Sequence, residues 1–307
     1  MRARWWTGRL IRATAAGSPV PLPFTGRSPM LSSISTHELV LLAGAMLAGG
    51  VLTGLIAGML GIGGGGVIVP VLYEVFGALG VDDSLRMQLC VGTSLAIIIP
   101  TAISSHNAHM KKGAVLPGVV RNWRVPAIAG IVTGSAIAAV VAGWVLQAVF
   151  VVVISLLGLK SLLGRNGIRI AEHLPGPGAM RAYGFVIGLA SSLVGISGGG
   201  IATNILLLYG VPIHAAVATS AGIGIIIPIP GVIGYAIAGW PHLSQLPPLS
   251  LGYVSVIGFV CIAPVAALVA PFGARLAHRL GRRQLEIGFG LFLLLVASRF
   301  LVAIIWG

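Results

Sequence analysis

Two glycine-rich stretches hold the residues best suited to chemistry in this sequence: GIGGGGVIVP, Gly61 to Pro70, and GISGGGIATN, Gly195 to Asn204. Glycine has no side chain to react. What such a run offers is backbone N–H groups brought close to a ligand, and a helix that begins there adds the positive end of its dipole. That is the chemistry of holding a small oxyanion without a buried cation. Hydroxyl donors follow each run, Thr93 and Ser94 in the first half and Thr219 and Ser220 in the second, with Ser197 and Asn204 inside the second run itself. The candidate binding set is therefore Gly63, Gly64, Gly65, Gly66, Thr93, Ser94, Ser197, Gly198, Gly199, Gly200, Asn204, Thr219 and Ser220.

Each of these residues also has a structural reading. Glycines permit close helix packing, and Thr-Ser pairs bond to their own helix carbonyls or across helices. For the glycines the site reading is favoured, because two runs coincide with a repeat. The hydroxyl pairs divide evenly between the two roles, and Asn204 leans only slightly to the site over an interhelical bond.

Other groups are weaker candidates. Glu74 is the one acidic residue within the first broken element, so it is a coupling candidate, although a place at the interface beside Asp82 and Asp83 suits it somewhat better. His106, in SSHNAH with His109, titrates near neutral pH and is a second coupling candidate, though a cytoplasmic helix end explains both histidines more simply. Gly195 to Gly199 matches GxSxG, the nucleophile pattern of serine hydrolases and of intramembrane serine proteases. A protease at Ser197 would need a histidine base beside it, yet the first half carries Gly63 at the equivalent position, so the shared role is a backbone one. GIGGGG also satisfies GxGxxG, but no strand precedes it, which removes nucleotide binding. Cys90 and Cys261 lie in separate apolar runs and read as small buried hydrophobes. No metal site, no cofactor and no enzymatic activity are expected.

The elements that must position these residues are membrane helices. Hydrophobic residues form 57% of the 307-residue chain, charged residues only 8%, and the mean hydropathy is +1.03, which excludes an ordinary soluble domain. With about 20 apolar residues needed per crossing, the length accommodates seven to nine membrane segments. The net charge of +13 lies in short loops between apolar runs, where topology explains it better than nucleic acid does.

Apolar runs extend over 38–60, 62–80, 86–108, 122–143, 145–163, 181–209, 213–240, 249–272 and 284–305. Basic residues gather at Lys111 to Arg124, at Arg165 to Arg181 and at Arg275 to Arg283, whereas the turns near 144, near 245 and after 305 have none. The positive-inside rule places the three basic loops in the cytoplasm. The chain must then cross an odd number of times between 181 and 245, so the glycine-broken 181–209 segment is read as a re-entrant hairpin. Treating 38–80 alike gives each half one glycine-broken hairpin plus three transmembrane helices, in inverted orientation.

The halves also match residue by residue. At an offset of 134 positions Gly54 meets Gly188, Ile62 meets Ile196, Gly64 to Gly66 meet Gly198 to Gly200, and Leu72 meets Leu206. Thr93 and Ser94 meet Thr219 and Ser220 at an offset of 126, the first half having a connection eight residues longer. The expected organisation is an N-terminal arm over 1–36, either disordered or a mis-assigned start, a first transmembrane repeat over 37–164 and a second over 165–307.

At Gly61 to Pro70, at the Thr93-Ser94 pair, and at GISGGG followed by YGVPIHAAVATS, the sequence resembles the TauE/SafE sulfite exporter family of small membrane transporters, from about residue 38 to the end. The resemblance implies transport of sulfite, a sulfonate, sulfoacetate or a related small anion across the cell membrane. Its partners would be that anion, the lipid bilayer and a coupling ion, H+ or Na+, with no nucleic acid. Ser197 and Asn204 depart from the pattern of the first copy and bear on the identity of the substrate. A non-transporting membrane subunit is the alternative from a different class.

Overall fold

The computed structural model describes residues 36–60, 64–110, 115–163, 170–171, 173–277 and 282–306. Those residues form an all-helical molecule: α1 (Thr36–Leu60), α2 (Gly65–Ala78), α3 (Asp83–Met110), α4 (Pro117–Val140), α5 (Gly143–Leu163), α6 (Pro177–Val194), α7 (Gly199–Leu208), α8 (Ile213–Ile226), α9 (Pro228–Gly239), a 3-10 turn at Trp240–Gln245, α10 (Val256–Ala277) and α11 (Arg282–Trp306). No named strand occurs among the described residues. The N-terminal arm lies outside them, apart from Thr36, which opens α1.

Among the described residues, seven helical stretches are long and apolar enough to cross a membrane. Six of them, at Asp83–Ser104, Pro117–Val140, Gly143–Leu163, Ala215–Gln245, Val256–Gly273 and Glu286–Trp306, coincide with the three crossings expected in each half. The seventh is in α1, whose 25 residues extend about 37 Å. The first arm of the first broken element is therefore long enough to cross by itself. By contrast α2 and α7, with 14 and 10 residues, extend only about 21 Å and 15 Å, less than the roughly 30 Å of a hydrocarbon core.

One boundary differs from the sequence reading. The run expected from 249 begins its helix only at Val256, because Pro247 and Pro248 supply no N–H and the chain then turns through Leu249 at φ 58° and Gly252 at φ 55°. Ser255 caps the helix that follows, its Oγ accepting Gly258 N–H at 3.1 Å. Elsewhere proline bends a crossing without ending it, as at Ile227–Pro228 between α8 and α9.

Packing is exchanged between the halves. α1 lies along α10 with Gly50 against Val265, Gly54 against Ala266 and Gly273 against Leu55, so the two run parallel. α4 lies along α6 with Trp123 against Gly184, Ala127 against Gly188 and Gly134 against Ser192, again parallel. Here glycine works by bringing backbones together: a Cβ at Gly188 would lie 2.0 Å from Ala127 O, and one at Gly273 would lie 2.3 Å from Leu55 O. α5 and α11 run antiparallel, with Arg283 on the Ser161 and Leu162 carbonyls, Gly158 against Gly290 and Phe150 on Phe300.

α3 passes through the centre, touching α1, α2, α5, α6, α8, α9 and α10. Its residues Met87 and Leu89 to Ile98 are all buried. A second apolar cluster, with Trp123, Ile187, Ala202, Leu206, Ile223 and Ile227, surrounds α7. Large apolar side chains such as Val132, Leu156, Ile237, Leu268 and Leu295 point outward, the surface of a protein solvated by lipid.

Candidate functional site

The two glycine stretches break the helix where the sequence puts them, and the breaks meet. Gly64 stands before α2 at φ 73° and Gly198 before α7 at φ 69°, a left-handed conformation that a side chain would strain. These two positions are partners in the repeat. Gly195 closes α6 at φ 75°, its N–H donating to Ser191 O at 2.9 Å. Both short helices therefore begin at the breaks, and the first-turn N–H groups of each lie there; among them Val67 N–H donates to Gly64 O and Gly199 N–H to Ser197 Oγ.

Contact between the breaks is backbone to backbone. A Cβ at Gly65 would lie 2.3 Å from Gly195 O and 2.8 Å from Ile196 Cα. A Cβ at Gly195 would meet Val69 of α2 at 3.0 Å and Val91 of α3 at 3.1 Å. Only glycine at 65 and 195 lets the start of α2 rest on the end of α6.

Ser94 ties this junction to the central helix, its Oγ donating to Gly195 O at 2.8 Å in a fully buried setting. Ser197 is buried in the second break and accepts Gly199 N–H at 3.4 Å, and a Cβ added at Gly224 of α8 would lie 3.8 Å from its Oγ. Ser220 precedes Gly224 by one helical turn and so shares that face of α8. It is 1% exposed, and its hydroxyl has no hydrogen-bond partner among the described residues. Gly66, Gly199 and Gly200 belong to the first turns of α2 and α7. Gly63 lies outside the described residues, as does the side chain of His106.

The threonines have a different duty. Thr93 Oγ1 accepts Ser255 N–H at 2.9 Å, and Ser255 stands just before α10. Thr219 Oγ1 accepts Leu116 N–H at 3.0 Å, and Leu116 stands just before α4. The two bonds correspond at the Thr-Ser pairs matched in the sequence, Thr93 holding the start of α10 and Thr219 the start of α4. Each hydroxyl keeps its proton available to donate.

Asn204 and Glu74 are both bonded to other helices. Asn204 Oδ1 accepts from Lys160 Nζ of α5, the interhelical role weighed for it above. Glu74 pairs with Arg299 of α11 at 3.1 Å, both side chains being more than half exposed, whereas Asp83 pairs instead with Arg86 at 2.7 Å. Position 299 in the sequence suggests only a snorkelling arginine, because its partner lies in a different apolar run. No group of three or more His, Cys, Asp or Glu able to hold a metal occurs among the described residues.

The sequence reading did not name Thr53. It lies in α1 with its Cγ2 2.6 Å from where a Cβ on Gly64 would be, so it covers the cap of the first break. The available signal was the offset of 134, which pairs it with Ile187, a polar residue against an apolar one.

Comparison with known proteins agrees with this architecture. The sequence profile described as "Sulfite exporter TauE/SafE" matches residues 46–300. A "Probable membrane transporter protein" of Haemophilus influenzae is 31% identical over 248 residues, 81% of this chain and 94% of the relative. A protein of Methanocaldococcus jannaschii, also named a probable membrane transporter, is 26% identical over 240 residues, covering 76% of this chain and 83% of the relative. No solved structure matches the chain. With its apolar helices and a match covering most of its length, this multi-pass membrane protein belongs to the sulfite exporter TauE/SafE family of membrane transporters.

Proposed function

We propose that the protein is a secondary transporter of a small oxyanion, of the class of sulfite, sulfonates and sulfoacetate, working by alternating access in the cell membrane. The observation that carries this reading is the meeting of the two breaks, Gly65 on Gly195 O, with α2 and α7 both beginning there. Each helix N-terminus is equivalent to roughly half a positive charge. Two of them starting at the meeting breaks favour an anion there, and no buried lysine or arginine is needed.

Inverted repeats are part of the proposal. Four features support them: the antiparallel α5–α11 pair, the matching parallel pairs α1–α10 and α4–α6, the reciprocal Thr93 and Thr219 bonds, and the shared offset of the glycine caps. Re-entry of the broken elements is supported by the shortness of α2 and α7. The three uncharged turns near 144, 245 and 305 each carry an exposed tryptophan, Trp144, Trp240 and Trp306, as at a membrane–water interface. With the basic loops in the cytoplasm those turns are external, and the coupling ion, H+ or Na+, enters between them and the site. Glu74 can serve as a coupling group only by exchanging its bond to Arg299 for a proton or a cation.

Flux into proteoliposomes tests the reading. Saturable uptake of sulfite, thiosulfate, sulfoacetate, taurine or sulfate is expected for at least one member of that panel, along with a rise in melting temperature of the purified protein in its presence. Intact, folded protein that neither moves nor is stabilised by any of them refutes it in favour of a non-transporting membrane subunit.

A further inference from the structure

We infer that Thr53 supplies a side-chain hydroxyl to the bound oxyanion, an assignment that rests on the anion site proposed above and makes it chemically asymmetric. Thr53 is fully buried, and its Oγ1 has no hydrogen-bond partner among the described residues. For a helical threonine that is unusual, because a bond to the carbonyl three or four residues back is always within reach. Thr101 donates to Ile98 O at 2.9 Å and Thr133 to Ala129 O at 2.9 Å, each turning back on its own helix. Thr53 has Gly49 and Gly50 in the corresponding positions and bonds to neither.

The place of the side chain is fixed by Gly64. Thr53 Cγ2 would lie 2.6 Å from a Cβ there, and Thr53 O would lie 3.3 Å away, so the side chain rests on the cap from which α2 begins. In the second half Ile187 does this work, its Cγ2 2.9 Å from the equivalent position on Gly198. Ser191 Oγ would lie closer still, at 2.5 Å, but that hydroxyl is committed to Ile187 O, so the position equivalent to Thr53 packs on its cap glycine with an apolar β-branched residue. Threonine has the same shape, with a hydroxyl in place of a methyl group, and the hydroxyl contributes nothing to that packing. Buried and unsatisfied, it destabilises the protein as it stands. The side chain that carries it rests through Cγ2 on Gly64, the residue before α2, and the hydroxyl shares one ligand chemistry with the first N–H groups of that helix, donation to an anionic oxygen.

Ser192 and Ser220 are further buried hydroxyls of this region without a partner among the described residues, and both belong to the opposite half. Ser94, in contrast, is already committed to Gly195 O. The conformation described thus has unpaired buried hydroxyls in both halves, Thr53 in the first and Ser192 and Ser220 in the second, and an oxyanion with two or more oxygens has the acceptors to engage more than one of them.

Thr53→Val is the test, because it keeps the shape and removes only the hydroxyl. Purified full-length wild type and variant are compared by thermal shift across the panel of sulfite, thiosulfate, sulfoacetate, taurine and sulfate. The expected result has two parts. Without ligand the variant melts no lower than wild type, and with the stabilising anion its apparent Kd is weaker by about tenfold or more, the loss of one hydrogen bond to a charged group. Thr53→Ser, which restores the hydroxyl, recovers binding. Wild-type affinity in Thr53→Val overturns the assignment, and so does a lower melting temperature without ligand, which makes the hydroxyl structural. Absence of any shift in the wild type removes the anion site and this residue's role with it.

Discussion

Gly65→Ala adds one carbon atom, and the structure says where it goes. The new Cβ would lie 2.3 Å from Gly195 O, 2.8 Å from Ile196 Cα and 3.0 Å from Ile196 Cγ2. Ordinary contact begins near 3.4 Å, so the two breaks must part by roughly 1 Å. Nothing local can absorb that. The nearest atoms are backbone, the carbonyl already accepts Ser94 at 2.8 Å, and Gly195 is fixed as the left-handed end of α6. Overpacking of this kind costs about 1–3 kcal/mol, offset by up to about 1 kcal/mol from alanine's better helix propensity. At about 2–4 °C per kcal/mol, the melting temperature falls by a few degrees and the protein still inserts. Transport suffers more, because a displacement near 1 Å in a positioned site can cost about a hundredfold. Flux in proteoliposomes measures it, with Gly288→Ala as control, since that position in α11 has nothing within 4 Å. Gly65→Ala moving the anion at the control's rate would refute the junction as the site.

Ser94→Ala strands a buried carbonyl and should lower stability by about 1–3 kcal/mol, whereas Ser220→Ala removes an unsatisfied hydroxyl and should leave the ligand-free melting temperature level or higher; paired melts in one detergent check the sign of the difference. Glu74→Gln breaks a half-exposed ion pair worth about 0–1 kcal/mol, so it should change stability little, and the dependence of flux on an imposed pH gradient should persist. Loss of that dependence would instead make Glu74 the coupling group. A disulfide between Gly50→Cys and Val265→Cys, whose Cβ atoms would start 3.1 Å apart and can relax toward the usual 3.8 Å or so, should leave transport intact when oxidised. Transport blocked by oxidation and restored by reduction would show that α1 and α10 move against each other.

How much was readable in advance followed from how local each feature is. The breaks were legible because glycine clusters of this density disfavour a helix wherever they occur. The seven apolar spans followed from run length. What escaped were contacts between distant segments of a nearly uncharged alphabet. Arg299 with Glu74, Lys160 with Asn204, and the Thr93 bond to Ser255 each join residues from different apolar runs. Nothing in composition says which faces meet. Thr53 escaped for another reason: in a 25-residue apolar helix one threonine looks like any helical threonine, and it stands out only once its hydroxyl is seen without a partner beside a glycine cap.

The exchanged packing also decides what can move in the proposed alternating access. Two halves rocking as rigid bodies would have to slide α1 along α10 and α4 along α6. Both interfaces are locked by glycines whose added Cβ atoms would lie 2.0–2.6 Å from backbone oxygens of the partner helix, at Gly54, Gly130, Gly188 and Gly273. Contacts that close make interdigitated surfaces, which shift in discrete steps if at all. Thr93 and Thr219 add a tether from the central helices to the start of α10 and of α4. The units that can move whole are therefore mixed pairs, α1 with α10 and α4 with α6, each carrying one arm of a glycine break. The junction where Gly65 rests on Gly195 is just as close, at 2.3 Å from an added Cβ to Gly195 O, but it joins two helix ends instead of running along two helices, and an anion's charge there would be felt by both α2 and α7. Under the proposed mechanism an anion at that point would hold the two mixed pairs in a particular register, and its departure would leave them free to change it.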